Sequence, residues 1–322
     1  MNMIEPAAMS SAVRIAALML SLMLSLMLSL MLAPAAPAHA AGGQQSFASP
    51  EQAADALAAA WRSGSKPAIL KIFGQAGAKL VSSGDAVADR NGKERLAAHY
   101  AALHRIEGLG EHKAQLVIGK EEFPYPIPLV QQGKRWHFDT VAGREEILNR
   151  RIGRNELNAI ETCRAYVEAQ QEYAARDTLG NGLHEYAARI TSTEGKRDGL
   201  YWQQQEGEEA SPLGPLIARA AAEGYGQGGT EMLAPYHGYY YRILTAQGAH
   251  APGRAHDYVV QGHMTAGHAL VAFPAEYGNS GVMTFIVSQD GIVFEKNLGS
   301  DTAALARRMT LYDPDESWKA HQ

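Results

Sequence analysis

Five of the eight charged residues in one stretch, RRIGRNELNAIETCRAYVEAQQEY, running from Arg150 to Tyr173, raise a question of chemistry: Arg150, Arg151, Arg154, Glu156 and Arg164 share it with a helically spaced apolar set. Wound at about 100° per residue, Leu157, Cys163 and Val167 gather on the side of Ile160, as a buried stripe should. Glu156, Arg164 and Gln171 fall on that same side, and Ala159, Thr162, Tyr166, Ala169 and Tyr173 form a second stripe behind. A buried carboxylate or guanidinium without a partner costs several kcal/mol, so each charge here requires one. Glu156 and Arg164 lie eight positions apart, about 12 Å along a helix, too far to pair with each other. The three early arginines oppose the positive end of the helix dipole and call for acidic or carbonyl partners, or a bound anion. Structural ion pairing and a carboxylate-binding cleft between two domains are the two chemistries on offer. The residues that would build the cleft are Asp139, Arg151, Glu156 and Arg164, joined by His237 and Tyr240 from YHGYYYRIL.

Motifs for other chemistries fail on spacing. Gly278–Gly281, GNSG, has Val282 where a nucleophile elbow needs glycine, and reads as a turn between strands. GYGQGG lacks the G-x-G-x-x-G spacing of a dinucleotide loop and follows a helix, so it reads as a linker. Asp177, Asn181 and Gly182 fit a calcium loop, but Leu179 and Ala188 stand where oxygen ligands are required. Five histidines, His237, His250, His256, His263 and His268, include no H-x-x-x-H pair, and His263 and His268 would face opposite ways on one strand. No catalytic, metal or cofactor residue is assigned. Cys163, the one cysteine, has no disulfide partner in the chain and reads as a packed small hydrophobe.

The elements that must position these residues are punctuated clearly. In FASPEQAADALAAAWRSG, Ser49 is the N-cap, Pro50 the first helical residue, Gln52 the capping-box partner and Gly64 the stop. PAILKIFG is a second helix, AKLVSSGD is strand-like, and NGKERLAAHYAALHRI is an amphipathic helix with Leu96, Tyr100 and Leu103 on one side. HKAQLVIG is a strand, and IPLVQQGKRWHFDT a hairpin turning at Gln132-Gly133. After the helix from Arg150, the chain passes GLYW and a short helix LIARAAAEG. The strands YHGYYYRILT, DYVVQGHM, HALVAF and a hairpin over Asp290-Gly291 follow. This order predicts an α+β protein of two domains: residues 41–142 resembling NTF2-like folds, with helices over a bent sheet, and residues 143–322 with the pilin-like plan of one long helix and an antiparallel sheet.

Near its start the chain carries Arg14, an apolar run and APAAPAHA, the pattern of a signal peptide over residues 1–40, cleaved between Ala40 and Ala41. An exported protein, periplasmic or extracellular and without a membrane anchor after cleavage, is expected. A net charge of −5 over 322 residues gives no footprint for nucleic acid.

RRIGRNELNAI, AYVEAQQEYA, GLYW, SPLGP, YHGYYYRIL, APGRAHDY, YGNSGVMTFIV and DPDESW together resemble the exported bacterial family called domain of unknown function 2950, over roughly Phe47 to Trp318. The resemblance implies no activity, substrate or cofactor, and it places an aromatic after Gly267 where this chain has His268. The expected function is therefore a non-enzymatic binding or envelope-interaction protein, its partner an envelope protein or a small anionic ligand. The alternative is an envelope hydrolase with an unfamiliar cleft site.

Overall fold

Asp139 opens the central element of the structure. The computed structural model describes residues 43–205, 207–226 and 234–321, so the expected signal segment, its expected cleavage point at Ala40–Ala41 and GYGQGG from Gln227 onward lie outside the described residues. The first half begins with helix α1 (Pro50–Ser63), whose N-cap Ser49 hydroxyl accepts the Gln52 N–H and whose end is closed by Gly64 in the left-handed region. Helix α2 (Lys66–Phe73), a single turn α3 (Ala78–Val81) and helix α4 (Ala86–Ala102) follow. The strand-like AKLV is thus a helical turn, and the HRI that closed the third predicted helix is already strand. Four strands, β1 (His104–Gly108), β2 (Lys113–Ile118), β3 (Leu129–Gln132) and β4 (Arg135–Phe138), pair antiparallel in that order, with Phe123–Pro124 added on β2. The helices close over this sheet around Leu57, Trp61, Phe73, Leu116, Ile127 and Phe138.

Helix α5 (Thr140–Ala175) starts straight from β4, with the Asp139 carboxylate accepting the Ala142 N–H. It is 36 residues long, about 54 Å. The expected domain boundary between residues 142 and 143 falls inside it. Its first turns belong to the first core: the Thr140 hydroxyl donates to the Phe73 carbonyl at 2.8 Å, and Ile147 packs on that cluster. From Asn155 onward it packs on the second sheet, where β5 (Tyr239–Leu244), β6 (Ala269–Pro274), β7 (Thr284–Ser288), β8 (Val293–Lys296) and β9 (Lys319–Ala320) run β9-β8-β7-β6-β5. One face of this sheet meets α5 through Leu270, Ala272, Phe285 and Val287. The other, with Val271, Phe273 and Ile286, is covered by helix α7 (Thr302–Arg308) and the C-terminal Tyr312 and Trp318. Burial on both faces is why HALVAF reads as an unbroken apolar run. A short helix α6 (Gly214–Ala222) lies against the α5 side, Ala220 within the same cluster.

The two stripes seen on α5 are one wide face. Ala159, Thr162, Tyr166, Ala169 and Tyr173 are all buried and form its centre, while Ile160, Cys163 and Val167 form one rim. Leu157, Arg164 and Gln171 lie about 20–60° beyond that rim at 100° per residue, and all three are exposed, Leu157 at 65%. Centring the face on Ile160 had drawn them inward.

Two α5 glycines give opposite expectations. A Cβ on Gly143 would stand 2.3 Å from the Pro126 carbonyl oxygen and 2.6 Å from Ile127 Cα, both rigid backbone, whereas one on Gly153 meets nothing within 4 Å. Gly143→Ala should lose about 1–3 kcal/mol through forced separation of α5 from that loop. Gly153→Ala should gain about 0.5–1 kcal/mol from helix propensity. Urea denaturation of both variants checks the contrast, and shifts in the same direction would contradict it.

Candidate functional site

The face of α5 between Arg151 and Glu156 meets the turn joining β6 to β7. Arg151 Nη1 donates to Asn279 Oδ1 at 2.6 Å and to the Lys79 carbonyl at 2.8 Å, and Nη2 donates to the Leu80 carbonyl at 3.2 Å. Asn279 Nδ2 donates to the Ser82 carbonyl at 2.8 Å and to Glu276 Oε2 at 2.7 Å. One turn further, Asn155 Nδ2 donates to the Ser280 carbonyl at 2.9 Å, and Glu156 Oε1 accepts the Val282 and Met283 N–H groups at 2.9 and 3.0 Å. GNSG is therefore the plug by which the second sheet docks onto α3 and α5. Burial lowers the Arg151 pKa, with Asp89 opposing, but a guanidinium stays charged.

A second polar junction forms where α4 begins. Asp85 caps α4, Oδ1 accepting the Val87 and Ala88 N–H groups at 3.1 and 2.9 Å. Its Oδ2 accepts the Tyr225 hydroxyl at 2.8 Å and the Gly238 N–H at 2.9 Å. Gly238 has φ +78°, and a Cβ there would lie 2.5 Å from Asn155 Nδ2, so only glycine turns this amide toward Asp85. His237 Nε2 stands 3.2 Å from Glu223 Oε2; burial lowers its pKa, with Glu223 pulling it back up.

The six residues proposed for an interdomain cleft thus separate. Arg151 and Glu156 lie in the seam between the halves, and His237 sits beside the Asp85 junction. Asp139 is committed to capping α5, where its carboxylate satisfies an amide. Arg164 is exposed. Tyr240 lies on the far face of the second sheet, 5.6 Å from the Phe273 ring and under Arg307 at 5.9 Å, because strand alternation sends it opposite to Tyr239 and Tyr241. Asp85, Asn155, Asn279 and Tyr225 complete the seam and were missed. Of these only Asp85 carries a local signal, as a cap before the helical AVADR.

Beside the seam, within the first half, lies a cleft of about 480 Å³. Trp61, Phe73 and Tyr125 line its interior and are nearly inaccessible. Its charged lining comprises Lys93, Arg95, Arg150, Arg151 and Arg154 against Asp89 and Glu121, five cations facing two carboxylates, with His99, Ser83 and Asn155 beside them. Asp89 already accepts the Ser83 hydroxyl at 2.7 Å, and Glu121 lies 3.6 Å from His99. Arg150 is paired with Glu146 at 2.6 Å. Arg95 and Arg154 form no ion pair among the described residues; loss of water and then the Arg95 charge push the Arg154 pKa down.

Elsewhere the titratable groups are dispersed. Cys163 is fully buried and burial pushes its thiol up to about 12, which suppresses the thiolate. His263 meets Glu185 at 3.1 Å and His250 meets Asp313 at 3.1 Å. Asp177 accepts the Asn181 and Gly182 N–H groups and so closes its own loop. Among the described residues no three His, Cys, Asp or Glu side chains converge as a metal site, and no helix is long and apolar enough to cross a membrane.

Fold and site together define an α+β protein in which one long helix joins two helix-and-sheet halves beside a cleft with basic lining. The chain belongs to the family described as "Protein of unknown function (DUF2950)", whose model matches residues 44–321. No curated protein and no solved structure matches it.

Proposed function

We propose that this protein binds a small amphipathic anion, its acyl or aryl part in the apolar interior of the cleft and its carboxylate against Arg95 and Arg154. The carrying observation is that pair: two guanidiniums on separate helices, without carboxylate partners among the described residues, at an apolar cavity of about 480 Å³, within the usual size of a ligand pocket. In a chain of net charge −5, this local excess of positive charge is concentrated where a ligand would enter. Arginine forks suit a carboxylate in particular. Helices closed over an antiparallel sheet beside the cleft support the NTF2-like reading of the first half, and the long helix on an antiparallel sheet supports the pilin-like reading of the second. The leader expected before Ala41 supports a role outside the cytoplasm, as a periplasmic or extracellular binding protein.

Calorimetric titration with dodecanoate and with the neutral dodecanol tests this. Saturable binding of the acid should exceed that of the alcohol, and Arg154→Ala or Arg95→Ala should weaken it by roughly tenfold or more, the loss of one charged hydrogen bond. Equal binding of acid and alcohol, or no effect of either arginine, would sink the proposal. Turnover of a dodecanoyl ester would return the hydrolase reading.

A further inference from the structure

The second half holds a cavity of its own, about 490 Å³, bounded by the first turn of α4, by α5 and α6 and by β5 and β6. Val87, Leu216, Ile217 and Leu270 form apolar wall, with the rings of Tyr236 and Tyr241 beside them. Its chemistry is unlike that of the basic cleft. No Lys, Arg or His lines it among the described residues, and its one carboxylate, Asp85, already accepts four hydrogen bonds. An anion would find no counter-charge there and a cation no free carboxylate lone pairs aimed at it, so a charged ligand would lose its hydration without return.

Beside the Thr162 and Thr191 hydroxyls, the polar groups that remain are two phenols. The Tyr236 and Tyr241 hydroxyls are buried and have no aligned hydrogen-bond partner among the described residues. Arg219, beside Tyr236, can only donate to its oxygen, which leaves the phenol proton without an acceptor. Thr162, beside Tyr241, gives its proton to the Asn158 carbonyl at 2.8 Å and so cannot donate to the phenol, and its oxygen is not aligned to accept the Tyr241 proton. Burial raises both phenol pKa values, so both groups remain donors. Two such donors at one apolar cavity are the orientation-fixing groups of a small-molecule site.

We infer that this cavity is a second binding site, for a neutral apolar molecule carrying a hydrogen-bond acceptor such as a ketone or ester carbonyl, which Tyr236 and Tyr241 engage. It stands apart from the anion cleft, and either site can fail without the other.

Prodan, a neutral naphthyl ketone whose emission moves to the red on hydrogen bonding, is the probe. Wild-type protein should bind it saturably at one site, with emission between those in water and in alkane. Ile217→Trp, which fills the cavity, should abolish the signal. Tyr236→Phe/Tyr241→Phe should move the bound emission to the blue and weaken binding by roughly tenfold. Dodecanoate titrations should be unchanged in both variants, and dodecanoate should not displace Prodan. Absence of saturable binding, unaltered binding by folded Ile217→Trp, displacement by dodecanoate, or a double-phenylalanine variant with wild-type affinity and emission would each overturn the inference. If Ile217→Trp fails to fold, the phenylalanine variant decides, because removing hydroxyls that lack partners leaves the packing intact.

Discussion

Asp85→Ala should destabilise the protein by about 3–5 kcal/mol, the range for removing one member of a buried charged network. The side chain is 1% exposed and accepts four hydrogen bonds, two from the start of its own helix and two from distant residues, Tyr225 and Gly238. Loss of the cap alone costs about 1–2 kcal/mol. The Tyr225 hydroxyl and the Gly238 amide would then be left buried without an acceptor, at about 1–3 kcal/mol each before relaxation. Asp85→Asn keeps one acceptor oxygen and should lose less, about 2 kcal/mol, because two of the four donors still find a partner. Urea unfolding at neutral pH measures both. A loss below about 1 kcal/mol for Asp85→Ala, the range of an exposed capping residue, would mean that the junction between α4 and β5 opens freely and that Asp85 does not hold the halves together.

That junction marks the limit of what the sequence discloses. Elements set by local rules were legible: the Ser49 cap and the Gly64 stop form where the residue types place them, and both predicted hairpins form, each turning one residue away from the expected pair, at Gly133-Lys134 and at Gln289-Asp290. Asp139 was visible too, but as a cap its carboxylate is used locally and cannot also answer a distant arginine. The seam was not legible. Asp85 and Gly238 are 153 positions apart, Arg151 and Asn279 are 128, and Asn155 and Ser280 are 125. Such pairs leave no periodicity, since neither partner's neighbours repeat the pattern. The Glu156 carboxylate did prove to need a partner, and found backbone amides instead of a cation. Arg164 needed none, because a helix face is located by its centre and one misjudged rim residue carries an exposed guanidinium inward on paper. Arg95 was overlooked for the converse reason. It lies on α4 beside Leu96, and nothing in that helix indicates that Arg154 of another helix stands near it.

His268→Phe should make the protein more stable, and increasingly so as the pH falls. His268 has no solvent exposure, and neither ring nitrogen has a hydrogen-bond partner among the described residues. Its ring is held edge-on between Tyr166 and Tyr186, at 5.3 and 4.6 Å. Its backbone N–H donates to Gln289 Oε1, a bond that phenylalanine would keep. Burial pushes its pKa down from 6.5 to about 4. The unfolded chain therefore takes up a proton at this residue as the pH drops through about 6.5, while the folded chain does so only near 4. Between those values the unfolded state binds more protons, and folding stability falls by up to about 1.4 kcal/mol per pH unit. Roughly 3 kcal/mol is lost by pH 4, and none of this loss operates above pH 7. Phenylalanine fills a similar volume, carries no proton and leaves no polar nitrogen buried. It should gain about 1–3 kcal/mol at pH 7, the cost of an unsatisfied buried polar group, and the gap from wild type should widen by about 3 kcal/mol toward pH 4. The other histidines and the carboxylates titrate alike in both proteins and cancel in the difference. The resemblance to the family already pointed to an aromatic after Gly267, and the packing supplies the reason: the site between Tyr166 and Tyr186 has the shape of a ring and no use for its nitrogens. Urea midpoints of the two proteins at pH 7, 5.5 and 4.5 give the measurement. A difference that stays constant across that range would show that His268 already finds a partner for its proton in the folded state.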